Sequence, residues 1–378
     1  MSAVTLREAQ FDQQDLRGVW DLQRRLFEQN NWCSFGEFVE MSRVRWLDNP
    51  ARTPDHVFGW VLDSPTDGIV GFVGLIPVRM KIGGREIVGG CGSGYCVMPT
   101  YRAYSLSLYK QLMDWGDTHF LVTTTANQMS SKLNRILGLN QIPVLNFDRF
   151  FLWLIRPEVL VNRALDNSAW QNWSPLVARA PFSWLLKVVA RVRFARHRRL
   201  RFSGETLPVE TVKEFTEDFT QFWEGHKNQY GITMVRDKKF LQWRYLEMPP
   251  VLGVNHIFAC RDNGRLGGYL VMVEINPRQK FCAPKRFRVI DVFYDRSRPD
   301  VFYSLMNRAF ESAKVQGCTA FEVASMSQEL TDLLQVQRPY VQQAESCPYW
   351  YKTSKEDLAE LCRTEVWWPS GADGDSNL

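Results

Sequence analysis

Val44-Arg45-Trp46-Leu47-Asp48-Asn49-Pro50 and Trp243-Arg244-Tyr245-Leu246-Glu247-Met248-Pro249 read as one piece of protein written twice. After the first come a short apolar strand over 57–62, the turn Asp67-Gly68 and a strand over 69–76. After the second come a strand over 257–260, a turn over 262–264 and a strand over 266–273. Farther on, Met129-Ser-Ser-Lys-Leu-Asn-Arg-Ile-Leu137 is answered by Met326-Ser-Gln-Glu-Leu-Thr-Asp-Leu-Leu334. The separation, about two hundred residues, is far longer than a solenoid period, so it means two copies of one fold.

Working outward, the residues Leu16, Val19, Trp20, Leu22, Leu26 and Phe27 share one face of a helix predicted over 13–29. A second helix is predicted over 35–47, ending before Pro50. Strands follow over 56–63 and 68–81, and Gly83-Gly84 turns the chain into a third that Pro99 closes. A helix over 104–115, a buried strand over 120–125 and a helix over 128–137 capped by Gly138 come next, then one or two strands over 142–155. The same order recurs over 209–351. The expected fold is therefore α/β (α+β), with two tandem domains at 1–157 and 207–362. Each is a mixed, mostly antiparallel sheet flanked by helices. A connector over 158–206 separates them, and the polar, Gly-rich end 363–378 is expected to be disordered.

Apolar residues at 45% and charged residues at 23% exclude a disordered or fibrous chain. The eight cysteines are scattered without a CxxC, which argues for reduced thiols in a cytoplasmic protein and against a metal site. The opening Met1-Ser-Ala-Val-Thr-Leu-Arg-Glu lacks a signal-peptide layout, and no uncharged apolar run reaches about 18 residues. The net charge of +5 is unevenly spread: Asn167 to Gly204 holds no Asp or Glu, while Lys187, Arg191, Arg193, Arg196, Arg198, Arg199 and Arg201 crowd its second half. Among them stand Trp170, Trp173, Trp184, Leu185, Leu186, Val188, Val189, Val192 and Phe194. This composition fits two readings, a linker helix packed on a domain or an amphipathic helix touching an anionic membrane through 182–202. The second would place the protein at the inner membrane face. Nucleic acid is disfavoured because the rest of the chain has no basic stripe.

Cys96-Val-Met-Pro-Thr-Tyr-Arg-Ala-Tyr-Ser-Leu-Ser107 carries the chemistry. A strand ends at a proline, a loop of small and basic residues follows, and a helix begins. Unpaired backbone N–H groups at such a helix start suit a pyrophosphate, and Arg102 adds a positive charge. The run Gly89-Gly-Cys-Gly-Ser-Gly94 lies inside a predicted strand and opens no helix, so it is not a dinucleotide fingerprint; it marks a bulge or close backbone approach. Cys91 and Cys96 beside it have no His or Asp at a recognisable spacing and read as buried, inert thiols.

Val97-x-Pro99-x-Tyr101-Arg102, the loop Arg102-Ala-Tyr-Ser105-Leu-Ser107, and the later Asn127-Gln-Met-Ser130-Ser-Lys-Leu133-Asn134-Arg-Ile-Leu-Gly138 together resemble the GCN5-related N-acetyltransferase (GNAT) superfamily, in its tandem double-domain type. The resemblance covers roughly residues 5–157 by motif and 207–352 by element order alone. It implies an acyl-CoA donor, acetyl-CoA or another, bound by Cys96, Val97 and Met98 along the pantetheine arm. Arg102, Ala103, Tyr104, Ser105, Leu106 and Ser107 would hold the pyrophosphate, and Asn127 would reach the pantetheine from the facing strand. It also implies acyl transfer to an amine, an amino sugar or envelope-polysaccharide precursor among the candidates. Two departures stand out: serines replace both loop glycines, and Asn134 replaces the usual proton-donating tyrosine. Tyr95 or Tyr104 is the candidate substitute. In the second copy, Asp295 and Pro299 argue against CoA, and Asp291 is a candidate to face the interdomain cleft and bind the amine. Two other readings compete, an aminoacyl transferase of the Fem type and a non-catalytic scaffold recruited to a membrane or partner.

Overall fold

The computed structural model describes residues 4–27, 33–144, 149–159, 180–204, 206–249, 253–275, 285–324, 327–343, 347–353 and 358–375. In chain order, the first half holds β1 (Thr5–Glu8), α1 (Gln13–Leu26), α2 (Phe35–Ser42), β2 (Gly59–Ser64), β3 (Gly68–Ile82), β4 (Arg85–Val97), α3 (Ser105–Gly116), β5 (Phe120–Thr123), α4 (Gln128–Ile136), β6 (Asn140–Gln141) and β7 (Arg149–Leu154). After α5 (Ala180–Arg193) come β8 (Val209–Thr211), α6 (Glu217–His226), β9 (Ile232–Met234), α7 (Lys238–Gln242), β10 (Asn255–Asp262), β11 (Arg265–Ile275) and β12 (Arg286–Tyr294). The chain continues through α8 (Pro299–Val315), β13 (Ala320–Ala324), α9 (Gln328–Gln335), β14 (Tyr340–Gln343), β15 (Trp350–Lys352) and α10 (Leu358–Leu361). The repeat is thus real: β2 to α4 is reproduced by β10 to α9.

Both copies of the opening motif fold into the same unusual feature. Arg43–Leu47 and Trp243–Glu247 are single π-helical turns, closed by Asp48 N–H donating to Arg43 O at 3.0 Å and Met248 N–H donating to Trp243 O at 2.9 Å. Such widened turns are rare and often mark functional ground.

The chain forms two compact units that are not consecutive stretches. The first gathers Met1–Phe147, Tyr230–Pro249 and Glu345–Leu378; the second gathers Asp148–Gln229 and Pro250–Ala344. In the first unit eight strands run β1-β2-β3-β4-β5-β15-β6, with β9 added to β3. Only β4 and β5 are parallel; the other pairs are antiparallel. The apolar face of α3 (Leu108, Leu112, Met113) covers Leu62, Val70, Val73, Leu75 and Leu121, all buried. In the second unit seven strands run β14-β7-β13-β12-β11-β10-β8, again with one parallel pair, β12 and β13. There α8 buries Phe302, Leu305, Met306 and Phe310.

The departure from the expected boundaries has a clear form. Of the one or two strands predicted over 142–155, β7 is found, and it lies between β13 and β14 of the second sheet, while the unpredicted β6 just before that span joins the first. Reciprocally, β15 lies between β5 and β6 of the first. Short strands carry no local signal for which sheet they complete, because pairing is decided by non-local register.

The disordered tail is the second correction. Within 364–375, Trp367, Trp368, Ala372 and Asp373 are buried in the first unit, Trp368 N–H donates to Ile232 O at 2.8 Å, and Tyr349 donates to Ser370 O at 2.8 Å. Its Gly, Ser and Asp content reflects tight turns rather than disorder. In the connector, α5 is helical as expected, whereas Trp170 and Trp173 lie outside the described residues.

Candidate active site

The site begins with glycines. Gly89, Gly90 and Cys91 pair in parallel with Phe120, Leu121 and Val122, and the pairing of β4 with β5 stops there. A Cβ on Gly89 would lie 2.4 Å from the backbone oxygen of Phe120, so only glycine permits this approach, and one on Gly90 would crowd the Leu75 side chain, 2.4 Å from its Cδ1. Farther along β4, the register with β3 slips between Phe72 and Gly74, and Gly94 takes φ +64°. A bulge with a left-handed glycine turns a strand away from its course. The result is a fork: residues 92–97 keep β3 on one side, while among the described residues the side toward β5 has no strand partner. An open strand edge offers backbone donors and acceptors to an extended ligand.

At the base of the fork stands a polar cluster that the sequence reading missed. Thr124 and Thr125, just beyond β5, donate to the two carboxylate oxygens of Asp375 at 2.7 and 2.8 Å. Cys91 Sγ lies 3.9 Å from the same carboxylate. Burial, and then the Asp375 charge, push the Cys91 thiol well above its ordinary pKa, and burial pushes Cys96 up to about 12. Both are therefore thiols and not nucleophilic thiolates, as their surroundings in the sequence indicated.

The two repeat-related arginines flank this cluster. Arg244, buried, donates from Nε to Ala372 O at 3.0 Å. Arg45 is held by the other π-helical turn, and its buried Nε has no hydrogen-bond partner. Burial lowers the Arg45 pKa, with Asp375 opposing that shift and Arg244 adding to it. Trp243 Nε1 donates to Val44 O at 2.7 Å and Trp46 Nε1 to Leu75 O at 2.9 Å, which fixes both turns. The paired motifs pack against each other through Trp243 and Val44, and the second also holds the tail through Arg244. The available signal was the two indoles of Trp367-Trp368, too apolar for a disordered end.

The expected pyrophosphate loop takes a different form from a glycine loop. Residues Pro99–Tyr104 make a 3₁₀ helix that runs straight into α3, and Ser105 has φ −60°, ψ −40°. Neither serine takes the left-handed backbone that would call for glycine. Ser105 N–H already donates to Arg102 O, as does the Ser105 hydroxyl at 2.6 Å. Arg102 and Ala103 are exposed, and no ion pair to Arg102 occurs among the described residues. Tyr101 is fixed by Asp67 and by Ser64 Oγ at 3.2 Å. At the end of β4, Met98 N–H donates to Val70 O at 2.8 Å, so that donor faces β3 rather than the fork.

The candidate acids and bases are dispersed. Tyr95 Oη donates to Ser105 O at 2.9 Å, its ring centroid 4.7 Å from that of Tyr109. Burial raises the Tyr95 pKa. Tyr104 is exposed at the start of α3. Asn134 is wholly buried, accepts from Tyr109 and donates to Thr123 Oγ1 at 3.3 Å, a structural link between α3, α4 and β5. Asn127 does not lie on a strand: it caps α4, accepting from Met129 N and Ser130 N at 3.0 Å each. An Asn immediately before a helix's first residue is an N-cap signal in its own right. Asp291 is 2% exposed and accepts from Tyr269 Oη at 2.8 Å, so it braces β12 against β11 and presents no open carboxylate to an amine.

The second copy's loop is closed by its own charges. Arg298 pairs with Asp300 at 2.7 Å and Asp262 at 3.2 Å, and Arg296 pairs with Glu329. Burial works against Asp295 ionising, yet hydrogen bonds from Gln229 and Ser297 hold it below the usual carboxylate range. Pro299 at the first turn of α8 removes one more donor. These features leave no cationic loop for phosphate. Among the described residues, no group of three or more His, Cys, Asp or Glu gathers as a metal site.

No protein-family model matches the sequence, and no curated protein shows significant similarity to it. Solved structures do share its fold. Saccharomyces cerevisiae N-myristoyltransferase with bound myristoyl-CoA aligns over 93% of this chain and 83% of its own, at 13% identity and a TM-score of 0.54. An Enterococcus faecalis V583 protein described as a probable N-acyltransferase aligns over 97% and 74%, at 11% identity and a TM-score of 0.59. A GCN5-related N-acetyltransferase from Anabaena variabilis ATCC 29413 aligns over 93% and 73%, at 12% identity and a TM-score of 0.55. The chain therefore has the two-unit GNAT-type fold, in agreement with the sequence motifs.

Proposed function

We propose that this chain is an acyl-CoA-dependent N-acyltransferase with one donor site, at the fork between β4 and β5. The observation that carries the reading is the parting of the two strands beyond Cys91 with the Asp375 carboxylate held at their base. The open edge of residues 92–97 would pair with the pantetheine amides, and Arg102, exposed and free of ion pairs among the described residues, would meet the phosphates. The bound acyl-CoA supplies a thioester carbonyl. An acceptor amine placed at the base of the fork attacks that carbon, a C–N bond forms as C–S breaks, and Asp375 takes the amine proton. Thr124 and Thr125 orient its carboxylate. Tyr104, exposed, is available to return a proton to the departing sulfur; Tyr95 is engaged with Ser105. The fold of the solved relatives supports this reading at the level of N-acyl transfer. The narrower version has acetyl as the acyl group and an amino sugar or envelope-polysaccharide precursor as acceptor.

Thermal unfolding with CoA, acetyl-CoA and longer acyl-CoAs tests it. A ligand at about 100 times its dissociation constant adds about 2.7 kcal/mol to stability. The chain length giving the largest shift identifies the donor. A chain indifferent to all of them fits the aminoacyl-transferase or scaffold readings and not this one. Replacing Arg102 with Ala is expected to weaken CoA binding about tenfold or more, the effect of losing a charged hydrogen bond to phosphate. Unchanged affinity would place the pyrophosphate elsewhere.

A further inference from the structure

The helix α5 keeps a large apolar surface in water. Trp184 is 65% exposed, Leu185 50%, Val189 51% and Val192 72%, whereas Ala190 is 8% exposed. At about 100° per residue these four and Val188 fall within an arc of about 140°, with Ala190 and Leu186 on the far side. Lys187 and Arg191 border one edge of the arc and Arg193 the other, and Arg196 and Arg199 follow within one further turn of chain. No Asp or Glu occurs from Asn167 to Gly204. Of these cations Arg191 alone pairs with an acid among the described residues, Glu158 at 3.1 Å, and it stays 55% exposed.

We infer that α5 lies on an anionic lipid bilayer, its Trp184–Val192 arc in the interface and its basic rim against the headgroups. An apolar arc bordered on both edges by cations is the pattern of a helix parallel to a membrane, and an indole is well suited to the headgroup boundary. No helix among the described residues is long and apolar enough to cross a membrane, so contact would be in the plane of the surface. A second copy of this chain fits the face poorly, since pairing arc to arc would bring two basic rims together. Nucleic acid would match the charge and leave the apolar arc wet. This inference does not depend on the proposed chemistry.

Sedimentation of the full chain with vesicles separates the outcomes. Binding is expected to phosphatidylcholine vesicles that contain phosphatidylglycerol, much less to phosphatidylcholine alone, and is expected to weaken in about 0.5 M salt, where the screening length is about 4 Å. The double substitution V189D/V192D, confined to exposed positions, is expected to cut binding about tenfold or more with an unchanged melting curve. R193E/R196E is expected to remove the preference for anionic lipid. The inference is overturned by absence of binding at low salt, or by V189D/V192D binding like the parent chain. It is also overturned if the chain is a dimer in solution that V189D/V192D converts to monomer, since a second copy would then cover the face.

Discussion

A chain ending at Arg363 loses the folded first unit. The removed segment carries Trp367 and Trp368, 4% and 5% exposed, and each indole buries about 150–250 Å². At roughly 25 cal/mol per Å² the pair accounts for about 8–12 kcal/mol as an upper bound, comparable with the whole stability of a domain. Trp367 packs at a tilt against Tyr351 of the exchanged strand β15, with centroids 5.9 Å apart, and Trp368 meets Tyr230 edge-on at 5.0 Å. Truncation also removes Asp373, the 3.4 Å partner of Arg236, whose side chain is 1% exposed. Breaking a buried ion pair from one side costs about 3–5 kcal/mol. Near-ultraviolet circular dichroism should therefore lose much of its aromatic signal, and the melting transition of the first unit should disappear. A truncated chain melting within about 2 °C of the full one would show that the tail contributes nothing to the fold.

The tail also marks where sequence reasoning reached its limit. Local pattern was legible: the repeated motif around Arg45 and Arg244, the β2–β3 and β10–β11 hairpins, the glycine bulge in β4 and the capping of α4 at Gly138 all follow from nearby residues, although the π-helical form of the two turns was not foreseen. The Val97-x-Pro99-x-Tyr101-Arg102 run placed the strand end and helix start correctly. Non-local partners were not legible. Whether Trp350 in β15 pairs with Thr123 or with a strand of its own copy depends on register across more than two hundred residues, which no short window encodes. Asp375 was missed for the same reason, since a carboxylate among Gly, Asp and Ser at the end of a chain looks solvated until Thr124 and Thr125 are brought to it. Asn134 shows the opposite case. Its position suggested a lost acid, and the physical role turned out to be a buried hydrogen-bond link between Tyr109 and Thr123.

Substituting Asp375 with Asn is expected to lower kcat for acyl transfer by about 10²–10⁴, the usual range for losing a positioned general base. The amide has nearly the same shape, and its oxygen still accepts one threonine hydroxyl, so stability should change by only about 1 kcal/mol. The discriminating readout is the split between kcat and KM. The KM for acyl-CoA should be nearly unchanged, because the proposed site sets the carboxylate at the base of the fork to meet the amine and leaves the pantetheine to the edge at residues 92–97. Replacing Thr124 and Thr125 with Val should lower kcat less, since those hydroxyls position the base without accepting the proton. If Asp375→Asn retains kcat within about threefold, or raises the KM for acyl-CoA as much as it lowers kcat, the carboxylate is a clasp for the tail and the proton goes elsewhere.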